Sequence, residues 1–84
     1  MTKEEIFNRL KGIVKPYIKD QDAFDNLNER TDFLTDLKIN SANLVDVILD
    51  VEEAFNIEID NQSMEKMLNI EATLQIIESK LAAS

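Results

Sequence analysis

The 84-residue sequence has no cysteine and no histidine, one glycine and one proline. Without cysteine there are no disulfides and no thiolate chemistry of the protein's own. Without cysteine or histidine the usual zinc ligand sets are missing. A lone glycine excludes a glycine-rich loop of the kind that cradles phosphates. Long apolar runs are also lacking: no segment approaches the roughly 18 residues of a membrane span, and Met1-Thr2-Lys3-Glu4-Glu5 lacks the apolar stretch of a signal peptide, so none is expected. A small disulfide-free chain of this kind suits a reducing compartment, so a cytoplasmic location is expected. Basic residues are scarce: 9 Lys and Arg stand against 17 Asp and Glu, a formal net charge of −8.

That balance disfavours nucleic acid, whose phosphates need a basic face, and anionic membrane surfaces. It favours proteins with basic docking patches, which an acidic partner finds faster through long-range steering. The length supports one domain, 1–84, with a thin core that buries ~60–65% of the unfolded surface. Little room remains for a deep, dry active site, so no catalytic residue is assigned. A monomer is expected, because no broad apolar face is left once the core is filled.

Thr2 and Glu5 fit a capping box at the start of a first helix. Ile6, Leu10, Ile13, Val14 and Tyr17 then recur at helical spacing, with Phe7 alongside. Gly12 and Pro16 complicate that helix; Pro16 has no N–H to give Gly12, so a kink or an early end is expected there. Residues 20–39 read as a long polar connection, pinned by Ala23, Phe24 and Leu27 and then by Phe33, Leu34, Leu37 and Ile39. A loop of that length in a small domain is expected to be anchored or functional. The second helix spans about Ser41 to Phe55 with Asn40 as its cap, and Leu44, Val47, Ile48, Val51 and Phe55 form its apolar stripe. Asn56-Ile57-Glu58-Ile59 is a short exit. Asp60 caps a brief third helix to about Met67, packed through Met64, Met67 and Leu68. Asn69 caps a last helix with Ile70, Leu74, Ile77 and Leu81 inside, ending in a frayed Ala82-Ala83-Ser84. The sum is an all-α, small four-helix bundle: three main helices, one short helix, and a long loop between helices 1 and 2.

The most informative stretch is Asp36-Leu37-Lys38-Ile39-Asn40-Ser41. From Ile39 to Glu65 there are seven acids (Asp46, Asp50, Glu52, Glu53, Glu58, Asp60, Glu65) and no Lys or Arg. Ser41 therefore has no general base and is a poor nucleophile. It reads either as a plain helix-start serine or as a residue modified by another protein. Asn40 already supplies the cap, which leaves the Ser41 hydroxyl free, and a phosphate there would sit at the positive end of the helix.

At about 100° per residue, the face opposite the apolar stripe centres on Ala42, Asp46, Leu49 and Glu53, flanked by Val45, Asp50 and Glu52. A charge run is usually a solvated face. Here Asp46 repels both Asp50 and Glu53, at a few tenths of a kcal/mol per pair, with no compensating cation. A partner surface explains that cost, with Val45 and Leu49 as its apolar centre. Asp20-Gln21-Asp22 begins like a calcium loop, but Asp25 and Thr31 stand where glycine and glutamate are required, so no metal site is assigned. Paired carboxylates without a cleft make a poor glycosidase.

The motif Asp36-Leu37-Lys38-Ile39-Asn40-Ser41, followed by Val45-Asp46-Val47-Ile48-Leu49 and by Glu52-Glu53-Ala54-Phe55-Asn56-Ile57-Glu58-Ile59, resembles the acyl carrier protein family. The likeness begins near Phe33 and continues to the last helix, over half the chain. It implies a carrier domain without catalytic activity, in which Ser41 receives 4′-phosphopantetheine from coenzyme A through a separate phosphopantetheinyl transferase that uses Mg²⁺ only during transfer. The added thiol would hold acyl groups as thioesters for partner enzymes of fatty-acid, polyketide or related acyl biosynthesis. Asp46, Glu52, Glu53 and Glu58 match positions that are acidic in the family and meet basic patches on those enzymes. Val45 and Leu49 match apolar contact positions beside the attachment site. The resemblance further implies an acyl chain that can fold back between the helices.

Three residues depart from the family pattern. Asn40-Ser41-Ala42 replaces the usual Asp-Ser-Leu, removing a charge linked to Mg²⁺ and a leucine used as a partner contact, and Lys38 stands where glycine is common. These changes point to a narrowed transferase recognition and a dedicated pathway. Alternatives are an aminoacyl or peptidyl carrier, which shares the serine, and an unmodified acidic helical interaction module.

Overall fold

A computed structural model describes residues 2–83. Its elements are α1 (Lys3–Val14), a single 3₁₀ turn (Lys15–Tyr17), α2 (Gln21–Asp25), α3 (Ser41–Phe55), α4 (Asn61–Lys66) and α5 (Ile70–Ala83). The four expected helices are present in an all-helical bundle, with α1 packed against both α3 and α5 and α4 lying against α5.

Each helix start follows from a polar residue one position before it. The Thr2 hydroxyl accepts from the Glu5 N–H and donates to the Glu5 carboxylate, both at 3.2 Å. Asn40 accepts from the Asn43 N–H at 2.8 Å, Asp60 from Ser63 at 2.7 Å and Asn69 from Ala72 at 2.8 Å. Each bond satisfies one of the N–H groups that a first turn leaves without an intrahelical acceptor. α1 runs unbroken through Gly12, whose surroundings are open. It ends ahead of Pro16, where the missing N–H stops the ladder and the chain tightens into the 3₁₀ turn.

The core is one cluster. It joins Ile6, Leu10 and Val14 of α1, Val47, Ile48, Val51 and Phe55 of α3 and Ile70, Leu74 and Ile77 of α5 with Met67, Ile57 and Ile59. Phe7, Ile13, Tyr17, Leu44, Met64 and Leu81 pack half-buried around it. In the exit after α3, Asn56 is left-handed at φ 53°, a conformation asparagine tolerates at a helix end.

Four expectations are corrected. The connection after α1 is not all loop: Asp20 accepts from the Asp22 N–H at 3.0 Å and starts the five-residue α2. Leu34 and Leu68, expected to pack inward, are 39% and 48% exposed. They lie on adjacent backbone, since Phe33 N–H donates to Leu68 O at 3.0 Å, and both side chains leave the core from that junction. The third helix stops at Lys66, so Met67 packs from outside it. The expected frayed end is helical through Ala83; Ser84 lies outside the described residues.

The connection is anchored from the far end of the chain. Asp32 forms an isolated antiparallel bridge with Asn69. Ile70 N–H donates to Thr31 O and Glu71 N–H to Glu29 O, each at 2.9 Å. Leu27, Phe33, Leu37 and Ile39 fill the core from this segment, and Ala23 packs half-buried against it, whereas the Phe24 ring lies under the ammonium groups of Lys11 and Lys15 at 5.6 and 5.7 Å.

Candidate functional site

The approach to Ser41 is built from carboxylates and buried side chains in alternation. The Asp32 carboxylate accepts from the N–H groups of Leu34 (2.8 Å) and Thr35 (3.0 Å), and Asp36 accepts from the Asp32 N–H at 2.8 Å. Thr35 first, then Leu34, holds the Asp32 carboxyl below its ordinary value near 3.8, against partial burial. Asp36 thus closes the turn, Leu37 plugs it into the core, and Ile39, whose N–H donates to Phe33 O at 2.9 Å, plugs it again. Between the two plugs Lys38 is left-handed at φ 56°. A lysine there carries a Cβ penalty that glycine escapes, which is the physical reason a glycine suits this position.

With Asn40 occupied as the cap, Ser41 is exposed at the first helical position. Among the described residues no group engages its hydroxyl, and the N–H groups of Ser41 and Ala42 have no acceptor. The hydroxyl is exposed and unbonded, at the helix start whose first two N–H groups have no acceptor.

The outer face of α3 is as the sequence predicts in exposure. Ala42, Val45, Asp46, Leu49, Asp50 and Glu53 all face solvent, with Val45 44% and Leu49 53% exposed. Among the described residues Asp46, Asp50, Glu52, Glu53 and Glu58 have no cation within 4 Å; ion pairs form instead between Lys3 and Glu29 at 3.0 Å and between Lys80 and Asp60 at 3.6 Å. Two of these acids nevertheless have internal bonds. Glu52 is half-buried and accepts from the Ile59 N–H at 2.8 Å, holding the exit of α3. Asp50 accepts from the Tyr17 hydroxyl at 2.8 Å, tying the 3₁₀ turn to α3. That bond, then burial, then the charges of Asp50 and Asp46, pushes the Tyr17 phenol above its ordinary range. Asp46, Glu53 and Glu58 keep both carboxylate oxygens for solvent or a partner.

Sequence reasoning missed the ground beside the serine. Tyr17, Lys19, Leu37, Lys38, Asn40 and Asn43, with Asp20 and Asp36, line a cleft of about 160 Å³ between the 3₁₀ turn and the start of α3. A larger and more open depression of about 300 Å³ is lined by Ala23, Asn26, Asn28, Arg30, Thr31 and Asp36. Helical spacing put Tyr17 on the inner stripe of α1, but no sequence signal joins it to residues more than twenty positions away. Asn43 was hidden in plain helix.

No family model matches the chain. It is 31% identical over 81 residues to the acyl carrier protein of Coprothermobacter proteolyticus, covering 96% of each chain. It is 33% identical over 79 residues to that of Lactobacillus acidophilus, covering 94% of this chain and 96% of the other. In three dimensions it is similar to an acyl carrier protein from Enterococcus faecalis, with a TM-score of 0.77 at 24% identity, over 95% of this chain and 99% of that one.

Proposed function

The chain belongs to the acyl carrier protein family, whose members are carriers rather than enzymes, and from that premise we propose that residues 1–84 form a single carrier domain loaded at Ser41. The observation that carries this reading is the exposed Ser41 hydroxyl at the first position of α3, freed from capping by Asn40. The residues present fit 4′-phosphopantetheine: the oxygen is accessible, has no competing bond, and lies beside the free N–H groups of Ser41 and Ala42, which suit a phosphodiester. When bound, the group supplies the thiol that the sequence lacks and on which acyl cargo is held.

The chain's own residues position and present that attachment point. Asn40 fixes the start of α3, and Leu37 and Ile39 hold the approach to it. Asp46, Glu53 and Glu58 steer basic patches of acyl-processing enzymes toward the site, and Val45 and Leu49 give them an apolar centre to dock on. The transferase that loads Ser41 brings Mg²⁺ for that step. With Asn40 and Ala42 in place of the usual aspartate and leucine, recognition is narrowed to transferases and partners of a specialised fatty-acid, polyketide or related pathway in the cytoplasm.

The test is intact mass after incubation with coenzyme A, Mg²⁺ and a phosphopantetheinyl transferase, with Ser41→Ala alongside. A phosphopantetheine-sized gain on the wild type alone is the expected result. No gain with several transferases, including one from the same source, would overturn the reading.

A further inference from the structure

Resting on the proposal that Ser41 carries phosphopantetheine, we infer that the cleft beside it is a docking site for the part of the arm next to the phosphate. In that pose the gem-dimethyl and carbinol groups sit against Leu37 and the Tyr17 ring, and the phosphodiester faces Lys38. Three observations converge on this occupant.

The first is the tether. The gem-dimethyl unit follows the phosphate within a few bonds, so it can travel only a short way from Ser41. The cleft is lined by Lys38, Asn40 and Asn43, on both sides of the serine in sequence. The second is size. About 160 Å³ holds roughly five water-sized groups. That matches the branched carbinol segment and is too small for a long acyl chain.

The third is chemistry. The half-buried Tyr17 ring offers most of the apolar surface for the two methyl groups, with Leu37, 4% exposed, contributing only a small edge. The side-chain amide of Asn43 has no bond among the described residues, and the Asn40 amide NH₂ is unused beside its capping oxygen, so both are available to the arm's hydroxyl and amide. Lys19 and Lys38 line the same cleft, and neither has a carboxylate within 4 Å among the described residues. The two carboxylates in the lining are each bonded to backbone: Asp20 to the Asp22 N–H at 3.0 Å and Asp36 to the Asp32 N–H at 2.8 Å. A phosphodiester is the anion whose attachment brings it to Lys38. The left-handed lysine, unfavourable for the backbone alone, thereby has a use that glycine would not serve.

The experiment uses the full chain loaded from coenzyme A by a transferase, with loading first verified by mass. In the loaded protein, the two methyl groups of the arm are expected as separate NMR signals shifted from those of free pantetheine, with cross-relaxation to Leu37 methyl and Tyr17 ring protons. Lys38→Gly, which relieves the backbone, and Asn43→Ala, which keeps the capped N–H, are each expected to weaken those contacts at least about twofold while the amide spectrum stays folded. Methyl signals at free-pantetheine positions with no contacts in the loaded wild type overturn the inference and leave the carrier reading standing. Full-strength contacts in Lys38→Gly overturn the role given to the lysine. Failure to load Ser41 at all overturns both.

Discussion

Helix α3 and the connection that leads into it are held in place by opposite means. α3 is stabilised by what lies within a turn or two of each residue: its own ladder, the Asn40 cap, and an apolar stripe from Val47 to Phe55. The connection has only the short α2 as a ladder. It is held by the turn-closing carboxylates of Asp32 and Asp36, by backbone bonds from Phe33, Ile70 and Glu71 that join it to the start of α5, and by Phe33, Leu37 and Ile39 driven inward. Ser41 stands where the two regimes meet. Local capping frees its hydroxyl, and a segment anchored elsewhere in the chain decides what surrounds it.

The severest way to break this comparison is Phe33→Ala. Losing a buried aromatic that anchors the connection is expected to cost about 3–5 kcal/mol, read from the urea midpoint, which for a small domain is most of its stability. A cost below about 1 kcal/mol would mean that the connection is merely draped over the helices.

Within α3, neighbours sharpen the contrast between its faces. Ile48→Ala is expected to cost about 2–4 kcal/mol. Leu49→Ala and Asp46→Lys stay within about 0.5 kcal/mol in folding. Both are expected to slow partner reactions several-fold, and added salt should shrink the Asp46 effect alone. If Leu49→Ala destabilises as much as Ile48→Ala, the outer face is part of the core.

A smaller effect tests the turn itself. Asp32→Asn weakens two charge-assisted bonds and is expected to cost about 1 kcal/mol at neutral pH. Because the folded-state pKa of Asp32 is lowered, its contribution is fully present above the ordinary value near 3.8 and is lost as pH falls through the folded value. Urea midpoints taken from pH 7 down to about pH 2 should therefore show the wild type losing more stability below about pH 4 than Asp32→Asn does. Parallel curves would remove the carboxylate from the account. The smallest expected change is Lys38→Gly, a gain of about 0.5 kcal/mol from relieving the left-handed backbone, reduced by the greater freedom of the unfolded chain.

The same contrast explains which residues were legible. Caps at Thr2, Asn40, Asp60 and Asn69 were readable because each acts on an N–H only a few positions away. The stripe and the acidic face of α3 followed from helical spacing. α2 was missed because five residues are too few for a period to show. Leu34 and Leu68 were misplaced because composition alone favours burying a leucine, and only the meeting of their backbones shows that both point outward.

The sequence by itself determined α1, α3, α4 and α5, their starts, the open serine and the excess of uncompensated acid around it, because capping, periodicity and like-charge repulsion act over one or two turns. Tertiary structure alone decided the path of the connection, the bond from Tyr17 to Asp50, the use of Glu52 to hold Ile59, and the cleft beside Ser41. Apart from the local Glu52 bond, these depend on bringing distant residues together, which no local propensity encodes. Even the Glu52 bond requires the chain to turn back at Asn56, and burial of Ile57 and Ile59 in the shared core holds that exit in place.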